Sequence, residues 1–357
     1  MSQLLLFAQT LSQPLKEEWR DAVQLKDLAK QLNVSVSTVS RTVNGTGRVG
    51  AKTRERILDA IKQTGYQPNE VARSLKRRSA RTLGVVVADL SNSFYSKVIK
   101  GVEKVASENS YNVFVCNTDE EVGKEEEYIR VLLQNQVSGL VIATVGSDVR
   151  LFQPYIDSGI PFVFIDNLPS LEDRFNLVAI DNDKASRSIT QHLVDQGHRK
   201  IAMMTGPLNQ STSSERLLGF RKCLEENGIT PEERWIGVGT FKQEYGYRMM
   251  REWLLNEDRP TAVLAANDFL MYGAIKAIYE RGLKIPEDIA VACFDANDET
   301  GLISPGITAI IQPAYEIGSI AAEIIMRREH DKGRKQYEKI ELEPVLLLKQ
   351  SSMGNKG

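Results

Sequence analysis

Apolar residues recur at two different periods, and the period changes near residue 82. Before that point the spacing is helical. Leu25, Leu28, Ala29 and Leu32 form one apolar stripe, and Asn33 interrupts it. Ser35 is a suitable N-cap for a second helix from Val36 to about Val43, with Val39 and Val43 inward. Asn44-Gly45 and Gly47 are turn signals. A third helix, about Ala51 to Thr64, places Ile57, Leu58 and Ile61 on one face, and Gly65 closes it. Two short helices joined by a tight turn make a helix-turn-helix. The outer side of the second carries Val36, Ser37, Ser40 and Arg41, small enough to enter a major groove closely. A plain helical bundle with a basic surface has the same pattern. Residues 69–78 form one further short helix, marginal alone, with Val71, Ala72 and Leu75 on one side and a basic tail.

Beyond residue 82 strands and helices alternate. The predicted strands are Leu83–Ala88, Val113–Cys116, Gly139–Ala143, Pro161–Asp166, Ile201–Thr205, Trp235–Gly239, Ala262–Ala266 and Ile289–Phe294. Between and after them come helices at about Tyr95–Glu108, Glu125–Gln134, Leu151–Asp157, Ala185–Gln196, Leu217–Glu226, Tyr245–Leu255, Leu270–Glu280 and Tyr315–Arg327. Strands with helical crossovers build parallel sheets covered on both faces. This pattern is long for one sheet, so two similar lobes with a cleft are expected.

Charge sharpens the division. Residues 24–81 hold thirteen Lys and Arg against four Asp and Glu, a net +9, whereas the 357-residue chain as a whole is at −2. A basic module therefore precedes an acidic body, which favours a polyanion as partner of the front end. Three scattered cysteines, Cys116, Cys223 and Cys293, fit neither a disulfide framework nor a zinc site. Three histidines are too few for a metal cluster. Met1–Ala8 lacks the basic start and small-residue cleavage site of a signal peptide, and no apolar run reaches membrane-spanning length. The expected location is cytoplasmic and nucleoid-associated.

Polar residues cluster where strands end: Asp89, Ser91, Asn92, Asp166, Asn267, Asp268 and Asp295. Ligands of open α/β sheets bind at that edge, so these are cleft candidates. Each is equally a candidate helix cap, Asp268 above all. No glycine-rich dinucleotide loop, phosphate-binding loop or nucleophile elbow follows a strand, and no residues arrange for catalysis.

Several separated segments carry a family signature, in order. They are Val34-Ser35-Val36-Ser37-Thr38-Val39-Ser40-Arg41-Thr42-Val43-Asn44-Gly45, Lys52-Thr53-Arg54, Gly65-Tyr66-Gln67-Pro68-Asn69 and Val71-Ala72-Arg73-Ser74-Leu75. Asp89-Leu90-Ser91-Asn92-Ser93-Phe94-Tyr95, Gly197-His198, Gly206-Pro207-Leu208, Arg216-Leu217-Leu218-Gly219-Phe220, Pro260-Thr261-Ala262 and Asn267-Asp268 follow. In these, residues 24–350 resemble the lactose-repressor family of bacterial transcriptional regulators.

The resemblance implies an N-terminal all-α helix-turn-helix DNA-binding domain at 24–68 and a hinge helix and linker at 69–81. It implies a two-lobed α/β body of parallel sheets at 82–350, similar to periplasmic binding proteins. The first lobe takes about 82–181 and 311–341, the second about 182–310 and 342–350. Residues 1–23 are an extension, poorly ordered or from a misassigned start, and 351–357 a flexible tail. The implied function is a homodimeric repressor of palindromic double-stranded operator DNA, controlled by a small sugar, sugar phosphate or purine. No cofactor, metal or catalytic residue is implied. The alternative is a sugar-binding or sugar-processing protein whose basic module does not regulate transcription.

By the same resemblance Val36, Ser37 and Arg41 read bases, and Thr38, Asn44 and Arg54 contact or support the backbone. Asn69, Arg73, Leu75 and Lys76 belong to the hinge, with Leu75 as minor-groove wedge. Asp89, Asn92, Phe94, Tyr95, Asp166, Thr212, Arg216, Phe241, Asn267 and Asp295 bind effector. Arg216 and Asp295 either hold ligand hydroxyls or form a mutual ion pair. Thr212, Arg216, Phe241 and Asp295 resemble the purine-responsive branch, but Gln210 stands where that branch carries arginine. The opening of the body resembles the catabolite-control branch, which adds a phosphocarrier protein as candidate partner.

Overall fold

A computed structural model describes residues 25–43, 46–64, 81–146, 148–169, 175–296, 304–330 and 337–353. The chain divides into two compact units, one ending at Arg78 and one beginning at Ser79.

The first unit contains α1 (Leu25–Gln31), α2 (Val36–Val43) and α3 (Ala51–Thr64). Asn33 turns the chain between α1 and α2 with a left-handed φ of 54°, a conformation that asparagine tolerates. Ser35 Oγ then accepts from the Thr38 N–H at 3.1 Å and caps α2. Leu28, Ala29, Val39, Ile57 and Ala60 make a small core, flanked by Leu25, Leu32, Val34, Val43 and Ile61. Leu58 departs from expectation: it is 43% exposed. At about 100° per residue it lies beside the stripe formed by Ile57, Ala60 and Ile61.

The second unit holds two six-stranded sheets. The first is ordered β2-β1-β3-β4-β5-β11 and the second β7-β6-β8-β9-β10-β12. In the first, β1 is Thr82–Val87, β2 Asn112–Asn117, β3 Gly139–Ile142, β4 Phe162–Ile165, β5 Asn176–Ile180 and β11 Lys339–Leu342. In the second, β6 is Ile201–Thr205, β7 Ile236–Val238, β8 Ala262–Ala265, β9 Ala290–Phe294, β10 Thr308–Ile311 and β12 Val345–Leu347. The central strands β1, β3, β4, β6, β8 and β9 are buried along their whole length, as expected where helices cover both faces. The pairing is parallel except between β10 and β12, a correction to wholly parallel sheets. The sequence pattern also passes over β5, β10, β11 and β12.

On one face of the first sheet lie α4 (Ser93–Glu108) and α11 (Ala314–His330); on the other lie α5 (Val122–Gln134) and α6 (Gln153–Ser158). The second sheet is covered by α7 (Asn182–Asp195), α8 (Ser211–Glu226), α9 (Gln243–Trp253) and α10 (Asp268–Glu280). The chain passes between the lobes three times, from β5 to α7, from β10 to α11 and from β11 to β12.

Each lobe contains a helix pair in contact at glycine. A Cβ on Gly101 of α4 would lie 2.1 Å from the Tyr315 carbonyl oxygen, and one on Gly318 of α11 would lie 2.0 Å from that of Val98. In the second lobe, a Cβ on Gly246 of α9 would lie 2.3 Å from the Leu270 carbonyl oxygen, and one on Gly273 of α10 would lie 2.2 Å from that of Gln243. Backbone leaves no room for a methyl group, so Gly318→Ala is expected to destabilise the body by about 1–3 kcal/mol through overpacking. Urea unfolding checks this; an unchanged midpoint refutes it.

Candidate functional sites

Helix α2 presents a distinct outer face. Val36, Ser37 and Arg41 are exposed, while Val39 and Thr42 are buried. Successive four-residue steps put Val36 beside Ser40 and Ser37 beside Arg41. Thr38 is half-buried, and its hydroxyl lies 2.7 Å from Ser35 Oγ, which makes it part of the cap. Arg54 is exposed on α3. Gly47, with φ of 74°, lies against the Arg41 side chain; a Cβ there would sit 3.2 Å from Arg41 Cδ. The expected roles of Asn44, Asn69, Arg73, Leu75 and Lys76 fall outside the described residues.

The second site is the cleft between the lobes, at the C-terminal edges of both sheets. The ten residues expected there all line it: Asp89, Asn92, Phe94, Tyr95 and Asp166 from the first lobe, and Thr212, Arg216, Phe241, Asn267 and Asp295 from the second. Topology accounts for this. Asp89 follows β1, Asp166 follows β4, Thr212 begins the helix after β6, Asn267 follows β8 and Asp295 follows β9. In both sheets strand order reverses around the first strand of the lobe, which opens a crevice at that edge. Sequence reasoning missed Ala88, Glu120, Phe269 and Gln312, which also line the cleft, and Gln210 lines it as well. Glu120 and Gln312 lie just after β2 and β10; the strand-end rule extended to these strands would have found them.

Arg216 organises the second lobe's side. It is buried; its Nε donates to Asn182 Oδ1 at 2.8 Å and its Nη1 to the Ala266 carbonyl at 2.6 Å. Its guanidinium lies over the Phe294 ring, 4.2 Å from the centroid. Nη2 is 4.0 Å from Asp166 Oδ1, across the cleft. Among the described residues this is its ion contact, so the mutual Arg216–Asp295 pair is not formed. Asp295 Oδ2 instead accepts from Gln312 Nε2 at 2.9 Å. The Tyr95 hydroxyl donates to Asp166 Oδ2 at 3.1 Å. Asn267 is the cap of α10, accepting from the Leu270 N–H at 2.9 Å, in place of Asp268, whose carboxylate accepts from the Phe269 N–H. Asn92 caps α4 at the Phe94 N–H, 2.8 Å away.

Asp166 and Asp295 both adopt left-handed φ, 62° and 65°. Such residues cost about 1–3 kcal/mol of strain and cluster at ligand sites. Burial pushes the Asp166 carboxyl up despite Arg216 and Tyr95. It pushes Asp295 up to about 6 against the opposing pull of Arg216. Asp268 is also pushed up to about 6, by burial and then by the charge of Asp295. Burial raises Glu120 as well. For Asp89 burial acts upward too, but hydrogen bonds from Lys242 and Ser91 outweigh it and leave the carboxyl below its usual range. Lys242 Nζ reaches Asp89 Oδ2 at 2.5 Å from the opposite lobe. Among the described residues no group of His, Cys, Asp and Glu is placed to hold a metal ion, and no helix is long and apolar enough to cross a membrane.

A three-helix unit with an exposed recognition face, joined in one chain to a two-lobed body with a polar, aromatic-lined cleft, defines a ligand-binding DNA-binding protein. Residues 24–69 match the model for bacterial regulatory proteins of the lacI family. Residues 80–342 match that for periplasmic binding proteins and the sugar binding domain of the LacI family. The chain is 33% identical over 329 residues to the HTH-type transcriptional repressor PurR of Aliivibrio salmonicida (strain LFI1238), covering 92% of this chain and 98% of that protein. Among solved structures, the lac repressor dimer bound to operator and the anti-inducer ONPF has a TM-score of 0.81 at 27% identity, over 93% of this chain and 100% of that one. The transcriptional regulator CelR–cellobiose complex has a TM-score of 0.70 at 29% identity, over 92% and 99%. The chain belongs to the LacI family of bacterial regulatory proteins. It is a DNA-binding transcriptional regulator.

Two outcomes are expected from this geometry. A carboxyl raised by folding stabilises the fold only while protonated, so stability from Asp295 is full below its unfolded value near 4 and is lost as pH rises toward 6. Asp295→Asn, which also suits a left-handed φ, should melt above wild type at pH 7.5, by on the order of 1–2 kcal/mol, with the gap closing by pH 4. Melting curves across that range are the check; a pH-independent gap contradicts it. Arg41→Ala should lower the ratio of operator to random-duplex binding about tenfold or more, because a bidentate arginine–guanine contact discriminates by about 1–3 kcal/mol. Competition binding reads this ratio, and an unchanged value removes Arg41 from base reading.

Proposed function

We propose that the protein is a repressor that binds palindromic operator DNA as a homodimer through the outer face of α2, and that a small neutral ligand in the interlobe cleft controls this binding. The observation that carries the reading is the convergence of ten strand-end and helix-start residues from both lobes on one cleft. A ligand switches a protein only through different affinities for two conformations. A site whose two walls belong to separate lobes supplies that difference. The similarity to PurR repressors and to an operator-bound lac repressor supports the DNA-binding half. Leu75 and its neighbours in 69–76 complete it as a hinge element, with Leu75 in the minor groove.

Charge narrows the ligand. Asp89, Glu120, Asp166 and Asp295 line the cleft, and Arg216 is the cation among its lining residues. Two of the arginine's nitrogens are already engaged by Asn182 and Ala266, and Lys242 is bonded to Asp89. Acceptors therefore outnumber free donors. This suits a hydroxyl-rich sugar or an N–H-bearing nucleobase, with Phe94, Phe241 and Phe269 against its ring. A phosphate ester would face uncompensated carboxylates. Gln210 in place of the purine branch's arginine favours the sugar, as does the CelR–cellobiose likeness.

A thermal-shift panel of free hexoses, disaccharides, purine bases and sugar phosphates on the full chain tests this. Neutral compounds should raise the melting temperature, and the strongest should change affinity for duplexes that the protein selects from a random library. Stabilisation by phosphorylated compounds alone would overturn the ligand assignment. Selection of no duplex would overturn the repressor.

A further inference from the structure

Helix α8 begins at Ser211 with Gln210 in the cap position, and Gln210 makes no side-chain cap bond. The first N–H groups of a helix have no partner within it and need an acceptor from elsewhere. That acceptor comes from the other lobe. Asn167 follows β4 and Asp166, and its own N–H donates to the Ile165 carbonyl at 2.6 Å, which fixes it to the first lobe. Its side-chain Oδ1 accepts from the Thr212 N–H at 3.1 Å and from the Thr212 hydroxyl at 2.9 Å. The Ser211 hydroxyl also approaches it at 3.3 Å and in turn accepts from the Leu168 N–H at 3.1 Å. Asn167 and Thr212 are both buried.

We infer that Asn167 is the positioning residue that sets cleft closure: it caps α8 across the two lobes, so the closed arrangement carries a helix cap that separation of the lobes removes. The other cross-cleft links differ in kind. Lys242–Asp89 is an ion pair whose lysine side chain is 38% exposed, and Arg216–Asp166 spans 4.0 Å. The Asn167 bonds are neutral and buried, so salt does not screen them. They also hold Thr212, a residue lining the cleft, in place. Closure bears on operator binding only under the function proposed above; the latch itself needs neither ligand nor DNA.

Two readouts on the full chain test the inference: hydrogen exchange at the first turn of α8, and the distance between a spin label on each lobe. Loss of a cap corresponds to about fivefold in an equilibrium. Asn167→Ala should exchange about fivefold faster at Thr212 and show a larger share of long interlobe distances, with protection in β1 and β6 unchanged. Asn167→Leu keeps the branching at Cγ and the heavy-atom count without the acceptor and should do the same, which covers failure of the alanine variant to fold. Asn167→Asp retains the Oδ1 acceptor while losing the Nδ2 donor to Gln210 Oε1 at 3.5 Å, and should protect the Thr212 N–H better than Asn167→Ala does. Wild-type exchange in whichever cap-less variant folds would overturn the inference. So would faster exchange with unaltered interlobe distances, since the cap would then be local to α8. Each measurement is made without ligand or operator, so failure of the repressor reading leaves this result standing, and the reverse.

Discussion

A guanidinium buried in a protein must find partners on every side, and the body's cleft is arranged around that requirement at Arg216. A charge removed from water costs several kcal/mol unless hydrogen bonds and countercharge replace its hydration. Here α7 supplies Asn182, the end of β8 supplies the Ala266 carbonyl, β9 supplies the Phe294 face and the opposite lobe supplies Asp166. Four separate elements are therefore held in register by one side chain. Any ligand that enters must respect that arrangement or replace one of its members. Asp166 is the most loosely held member, because its contact with Arg216 spans 4.0 Å.

The two lobes repeat one local solution. In each, an aspartate just past a sheet strand turns left-handed and aims its carboxylate into the cleft, Asp166 in the first and Asp295 in the second. Each also has a polar partner from a neighbouring element, Tyr95 for Asp166 and Gln312 for Asp295. Burial disfavours the charged form of both. Strain and desolvation at the same two positions are local costs that the packed sheets beneath them sustain.

Much of this was legible in the chain. Strands β1, β3, β6, β8 and β9 are continuous apolar runs, and burial on both faces requires that. Helices α2 and α3 were bounded by a serine cap and by glycine, and both ends match. Asp89, Asn92, Asp166, Asn267 and Asp295 are legible because strand ends are where side chains escape the sheet, whereas Phe94, Tyr95, Thr212, Arg216 and Phe241 are implied only by the family resemblance; Ser91 and Asp268, also at strand ends, do not line the cleft. What failed has equally local causes. Lys339–Leu342 alternates exposed and half-buried positions on an edge strand, and Val345–Leu347 is three residues paired antiparallel, so neither leaves an apolar run. Leu58 follows Ile57 by about 100° around the helix, which turns it out of the core. The approach of Arg216 to Asp166 and the bonds of Asn167 are not legible, because both join segments remote in sequence and only the packing of one lobe against the other brings them together. Asp268 lost the cap to its neighbour because Asn267 lies in the extended conformation that a cap requires.

The triple passage of the chain between lobes has a mechanical consequence. A single strand would let the lobes twist, slide and bend; two would still permit twisting about the line joining them. Three side-by-side passages, at Asp181, at Gln312–Pro313 and at Glu343–Pro344, restrict sliding and twisting more than one or two would. Prolines in two of the three stiffen the passages themselves, and Lys184 braces the third through Glu343 at 2.6 Å. A ligand that pulls on either wall of the cleft therefore acts on lobes tethered to each other at three points of the chain.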